Sequence, residues 1–132
     1  MEQFADRFQL VELGWTNDEE QARDAFVASD IFLMPSIVEA FGVMAIEALA
    51  CAKPVIVFEG TSLPEVTFAP DVGIAVPMHD GEGLYRALQH LIDNPAEREE
   101  RGRKGREIAE RHYGDDLYAQ RLAEIYKTVA AK

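Results

Sequence analysis

The sequence predicts an α/β domain: a parallel sheet of about four strands with helices on both faces, followed by a helical C-terminal segment. Three observations carry this. Between Phe8 and Val76, short apolar runs alternate with segments of helical period, the pattern of strands joined by helical crossovers. Two of the runs, Ile31-Phe32-Leu33-Met34 and Val55-Ile56-Val57-Phe58, are apolar at every position, as in parallel strands covered on both faces. From Asp80 onward no strand pattern remains and only helical spacing continues.

Each element has its own signal. Phe8 to Leu13 is short and apolar and is closed by Gly14, which predicts a first strand and a turn. Thr16 or Asn17 is the expected N-cap of a helix with acids at positions 18–20 in its first turn. Ala22, Ala25, Phe26 and Ser29 carry that helix to about Ala28. The 31–34 run is the second strand and Pro35 ends it. A loop over 35–40 leads into a helix from about Phe41 to Cys51. Pro54 opens the third strand, 55–58, and Gly60 closes it. Leu63 to Phe68 predicts one short helical turn, and Gly73-Ile74-Ala75-Val76 a fourth strand. Asp80 caps a helix from about Gly83 to Asn94. Pro95 starts the next, since proline suits the first helical position, and it runs to about His112. Gly114 and Asp115 break and cap, and Leu117, Leu122, Ile125, Tyr126 and Val129 mark the last helix.

Composition narrows the function. The 132 residues hold 24 acids against 13 Lys and Arg, a net charge of −11. General nucleic-acid binding is excluded, because it rests on cations displacing phosphate counterions. A basic membrane-surface helix is excluded on the same ground, and no apolar run reaches the ~18–20 residues of a membrane span. The first residues hold no signal-peptide core. A single cysteine, Cys51, makes no internal disulfide, which points to a reducing, cytoplasmic setting. The charge is unevenly spread. Up to Val66 there are 12 acids and 3 bases (Arg7, Arg23, Lys53), and beyond it 12 acids and 10 bases interleaved at helical spacing. His79, His90 and His112 lie far apart without ligand spacing, so no metal site is expected. Of the three, His79 is the one with a chance of reaching the site, from the loop after the fourth strand. Cys51 reads as a small buried apolar residue, and Trp15 as core or rim packing ahead of packing on a base.

The stretch from Pro35 to Cys51 carries the chemistry. It is a strand end, a loop and a helix, and in open parallel sheets ligands gather beyond the carboxyl ends of the strands. Gly42 allows close backbone approach at the helix start. Free N–H groups and the positive dipole end there suit a phosphate, so the backbone of Phe41, Gly42, Val43 and Met44 is a candidate diphosphate cradle. Glu47 is the one charged side chain from Ala40 to Ala52. A helix so apolar is expected to be buried, and a buried carboxylate needs a polar partner; a ribose diol supplies two O–H donors. Pairing with Lys53, or escape at a helix edge, is the plainer alternative. Glu39, in the loop before the helix, faces either sugar hydroxyls at the other end of such a ligand or solvent.

These residues resemble a known family. Asp30-Ile31-Phe32-Leu33-Met34-Pro35-Ser36, Glu39-Ala40-Phe41-Gly42, Glu47-Ala48 and Lys53-Pro54-Val55-Ile56 are similar to the signature of the retaining glycosyltransferases of family 4, the group 1 transferases, with its two glutamates separated by seven residues. The likeness continues through Leu63-Pro64-Glu65-Val66, Gly73 to Asp80 and the terminal helices. It implies the GT-B fold, two Rossmann-like domains across a cleft. This chain would be an incomplete C-terminal, donor-binding domain with a partial Rossmann-like sheet, spanning 1–132 as one unit. It implies that Glu39 serves catalysis through the donor sugar's hydroxyls, that Glu47 holds the nucleotide ribose, that Phe41, Gly42, Val43 and Met44 hold the diphosphate, and that the turn at Gly14 lies against the base. The donor would be a nucleotide-diphosphate sugar, transferred with retention of configuration and without a bound metal or other cofactor.

The sequence departs from the family in places. Ala52 stands where glycine usually precedes Lys-Pro-Val, so a left-handed residue there is mildly strained. Glu59-Gly60-Thr61-Ser62 replaces a Gly-Gly pair, and Thr61 or Ser62 is a candidate hydroxyl donor. The cations with which the family grips the diphosphate, and the N-terminal acceptor-binding domain, have no counterpart in the sequence. The expectation is a chain that alone transfers sugar very poorly or not at all, and whose open sheet edge favours a homodimer. The competing readings are a non-catalytic interaction or regulatory module on the same fold, and an unrelated flavodoxin-like receiver. The latter lacks the acid cluster at a strand end that it requires, since Asp18, Glu19 and Glu20 fit a first helical turn better.

Overall fold

A computed structural model describes residues 9–130. Three strands form a parallel sheet in the order β1 (Phe32–Met34), β2 (Val55–Phe58), β3 (Ile74–Val76). Phe32 pairs with Val55 and Ile56 with Ile74, so β2 is central and fully buried along its length. Six helices precede, join and follow them among the described residues: α1 (Glu19–Ala28), α2 (Val43–Ala50), α3 (Leu63–Val66), α4 (Gly81–Asp93), α5 (Pro95–Tyr113) and α6 (Asp115–Ala130).

Because strand side chains alternate, β2 feeds two cores. Val55 and Val57 pack with Phe26 of α1, Ala45, Ala48 and Leu49 of α2, Leu63 of α3 and Ala109 of α5. Ile56 and Phe58 turn the other way, to Val76 and to Leu84, Leu88 and Leu91 of α4. The helices therefore cover both faces, as expected. α5 lies against the end of α2 through two glycines. A Cβ on Gly102 would stand 2.1 Å from the carbonyl oxygen of Ala52, and one on Gly105 2.7 Å from Leu49 Cδ2.

The expected first strand is a correction. Phe8 lies outside the described residues, and residues 9–13 form no strand, with Leu10, Val11 and Leu13 exposed. A strand is made by its ladder, and among the described residues β1 pairs with β2 alone, leaving its other edge open. Among the described residues the sheet has three strands rather than about four. Trp15, expected to pack, is 92% exposed. The cap of α1 is Asp18, not Thr16 or Asn17. Its Oδ1 accepts from the N–H groups of Glu20 (2.9 Å) and Gln21 (3.3 Å), while Thr16 Oγ1 accepts from the N–H of Asp18. A carboxylate gains from the dipole as well as the hydrogen bonds.

The later elements fall close to where the spacing put them. Asp80 Oδ1 accepts from the N–H of Gly83 at 2.8 Å, though α4 begins at Gly81. Gly114 separates α5 from α6 in an extended conformation. Ala52 is left-handed at φ 58°, as its place after α2 implies. No helix among the described residues is long and apolar enough to cross a membrane.

Candidate functional site at the carboxyl end of the sheet

The loops after β1, β2 and β3 all leave the carboxyl end of the sheet, where parallel-sheet ligands bind. The first is 35–42, and it carries Glu39. A turn there needs Gly42, which sits at φ 94° as the N-cap of α2. The helix consequently starts at Val43, two residues after the expected Phe41. Nothing in the side chain of Gly42 caps it, and Gly42 O accepts from Ala45 and Ile46. The N–H groups of Gly42, Val43 and Met44 have no partner among the described residues. Three unpaired donors at a helix N-terminus are an arrangement able to donate hydrogen bonds to an anion.

Phe41 does not add a fourth. Its N–H donates to Glu39 Oε1 at 3.2 Å, so the carboxylate closes the turn on itself. Glu39 Oε2 has no partner among the described residues and remains able to accept from a hydroxyl. The second loop braces this turn. Ser62 Oγ lies 3.4 Å from Glu39 O and 3.5 Å from Phe41 O, and the Leu63 side chain fills the space beneath Gly42. Thr61 Oγ1 is used by the N–H of Leu63 and by Phe58 O. Both hydroxyls thus hold backbone. The third loop brings His79, at φ 65°, to within 6.4 Å of the Phe58 ring, centroid to centroid.

Glu47 corrects one step of the reasoning. α2 buries only the face of Ala45, Ala48 and Leu49, and Glu47 is exposed. It needs no buried partner and has no ion pair among the described residues. Lys53 donates instead to Val27 O at 2.9 Å. Glu47 lines a groove of about 310 Å³ between α1 and α2, with Glu19, Arg23, Phe26 and Cys51. It sits one turn along from Val43, roughly 6 Å at the helical rise. Cys51 is half-buried at the end of that groove. Gly14 is left-handed at φ 67°, with open space beside it, just before a bend at Trp15.

Two residues escaped the sequence reading. Tyr113, the last residue of α5, donates its hydroxyl to Val66 O at 3.1 Å and meets the Phe41 ring edge-on at 6.2 Å. Burial first, and then the Glu65 charge, push its phenol pKa up, so at neutral pH it is a donor. Arg121 of α6 shares a cavity of about 550 Å³ with Phe41, Val43 and Tyr113. Neither has a local signal, because Val66 and Phe41 lie more than 40 residues from Tyr113, and Phe41 and Val43 more than 40 from Arg121. No cluster of metal-ligating side chains exists among the described residues.

The chain is similar in sequence and fold to known glycosyltransferases. The family model "Glycosyl transferases group 1" matches residues 8–108. The D-inositol 3-phosphate glycosyltransferase of Streptomyces avermitilis is 35% identical over 82% of this chain and 23% of that protein. The alpha-maltose-1-phosphate synthase of Mycobacterium tuberculosis is 30% identical over 84% of this chain and 30% of that protein. The sucrose-phosphate synthase of Thermosynechococcus elongatus superposes with a TM-score of 0.85 at 29% identity, over 98% of this chain and 32% of its own. The chain spans less than a third of the length of these relatives. It belongs to the group 1 glycosyltransferases.

Proposed function

We propose that this chain is the donor-binding part of a GT-B glycosyltransferase of family 4, which binds a nucleotide-diphosphate sugar and transfers the sugar to an acceptor with retention of configuration. The observation that carries this reading is the turn of Glu39 to Met44. It sets three unpaired N–H groups beside a carboxylate with one free oxygen. The N–H groups of Gly42, Val43 and Met44 take the diphosphate, and Phe41 shapes the turn. Glu39 Oε2 accepts from hydroxyls of the donor sugar and is the residue that serves catalysis. Glu47, exposed one turn along α2, accepts from the ribose diol, and the Gly14 turn lies towards the base. No metal or other cofactor enters this scheme. The acceptor is held by an N-terminal domain, and without it the chain transfers sugar very poorly or not at all. The open edge of β1 is the proposed contact of a homodimer, against which a monomer by light scattering at high concentration would count. The single free cysteine fits a cytoplasmic setting.

The test is an NMR titration with UDP, GDP and ADP, run beside Glu47→Ala. Saturable amide shifts over Glu39–Glu47, lost in the variant, are expected, and the responding nucleotide names the base. Glu47 is exposed, so the variant should keep its stability within about 0.5 kcal/mol. A well-folded wild type that gives no shifts with any of the three would overturn the reading and leave a non-catalytic module on the same fold.

A further inference from the structure

The turn that carries Glu39 is supported from outside its own segment, at both ends of the short helix α3. At the front, Ser62 Oγ reaches the carbonyl oxygens of Glu39 and Phe41, and Leu63 packs under Gly42. At the back, Val66 O accepts the hydroxyl of Tyr113, whose ring meets that of Phe41. The chain of contacts closes on itself: Glu39 to Ser62, along α3 to Val66, to Tyr113, to Phe41, and back to Glu39 through its own N–H bond. We propose that Ser62 and Tyr113 are positioning residues of the donor site, a clamp that fixes the Glu39 carboxylate relative to the N–H groups of α2. This rests on the donor-site reading above and adds to it which side chains set the site's geometry.

Three physical points favour a positioning role over simple packing. Each hydroxyl meets a backbone carbonyl far away in sequence, 21 to 47 residues off, so each ties separate segments together. Both bonds are neutral and the Ser62 pair is long, so their contribution to global stability is small, about 1 kcal/mol or less each. Their effect on a carboxylate that must meet a sugar hydroxyl is larger, because misplacement by a fraction of an ångström is felt in the bound complex. Tyr113 is also the residue before Gly114 and α6, so the placement of α6 bears on the turn through the same ring.

The clamp predicts a split between the two ends of the ligand. Glu39 serves the sugar, whereas the helix N–H groups and Glu47 serve the nucleotide. Ser62→Ala and Tyr113→Phe should each lower the excess affinity for UDP-glucose, GDP-mannose or ADP-glucose over the matching nucleoside diphosphate, by roughly two- to tenfold. Affinity for the diphosphate itself should change little. Ser62→Thr, which keeps a hydroxyl, should restore most of the excess. The second readout needs no ligand: in Ser62→Ala and Tyr113→Phe, hydrogen exchange at the Phe41 amide should quicken by a similar factor. Sugar and diphosphate affinities that fall together with thermal stability would overturn the clamp, as would unchanged exchange at Phe41. A wild type that binds none of the probes would overturn the donor-site reading instead, and the exchange data alone would then decide the clamp.

Discussion

Gly42→Ala is the sharpest probe of how the site is built. The added Cβ would lie 2.4 Å from Leu63 Cδ2, more than 1 Å inside the usual ~3.5–4.0 Å carbon contact. Leu63 is fully buried and has nowhere to retreat, so overpacking costs about 1–3 kcal/mol. The backbone adds to this. At φ 94° alanine pays roughly 1–2 kcal/mol for a left-handed conformation, offset by about 0.4–1 kcal/mol from its stiffer unfolded chain. The net loss is about 2–4 kcal/mol. For a domain of this size that is roughly 8–15 °C in Tm. Urea unfolding of Gly42→Ala, Leu63→Ala and the double variant separates the two terms. Leu63→Ala alone should cost about 2–5 kcal/mol. In that background the clash is gone, and Gly42→Ala should cost only about 1 kcal/mol, the backbone part. The double variant should therefore be more stable than the sum of the singles by about 1–3 kcal/mol. Strict additivity, or a Gly42→Ala protein within about 0.5 kcal/mol of wild type, would refute the argument that Leu63 and the left-handed turn together shape the start of α2.

Two other changes test the frame around the site. Ala52→Gly should raise the urea midpoint, by about 0.5–1 kcal/mol in stability, because it removes a left-handed alanine at φ 58° without touching the carbonyl that Gly102 packs against. A lowered midpoint would mean that the alanine methyl contributes packing that outweighs its backbone strain. The acid limb of stability should depend on Glu97. Hydrogen bonds from Arg101 and then from His90 hold its carboxyl below the usual glutamate range. A depressed folded pKa gives stability that is present above the unfolded value, about 4.3, and is lost as pH falls through the folded one. Urea midpoints measured from pH 6 down to about pH 3 should fall more steeply for wild type than for Glu97→Gln, and parallel curves would sink the assignment.

What the sequence disclosed follows from which forces are local. β2 was legible to the residue, since four consecutive β-branched and aromatic positions between Pro54 and Gly60 admit few alternatives. Asp80, Pro95 and Gly114 mark helix ends by chemistry confined to a few residues. The 8–13 segment carries four apolar residues broken by Gln9 and Glu12, but a strand also needs an edge to join, and no local pattern encodes its neighbour. Glu47 was misjudged for a related reason. Its helix is apolar all round, which implies burial all round, yet α2 is packed on one face and leaves Val43 and Met44 exposed. The signature residues Glu39, Gly42 and Glu47 were legible because they sit on one strand–loop–helix unit. Ser62, Leu63 and Tyr113, which brace that unit, were not, since their partners lie on other units of the fold.

The electrostatics of the site make one more demand. The cradle consists of backbone N–H groups, and a helix end contributes only about 0.3–1 kcal/mol toward an exposed charge. The surrounding half of the chain carries 12 acids against 3 bases up to Val66. One of those bases, Arg23, is paired with Asp24 at 2.8 Å. On the proposed reading, a doubly phosphorylated ligand approaches against a repulsive field and is gripped by backbone hydrogen bonds rather than by cations. Raising ionic strength to about 0.15 M, where the Debye length falls to about 8 Å, removes mainly the repulsion. Affinity for UDP, GDP or ADP should hold or tighten by about twofold over that range, whereas a site gripped by cations would lose affinity steadily. A steep loss would mean that a guanidinium carries the diphosphate after all. Arg121, in the cavity shared with Phe41 and Val43, would then be the first to replace: Arg121→Ala should abolish the salt dependence if it is that cation, and leave it intact if the grip comes from Arg23.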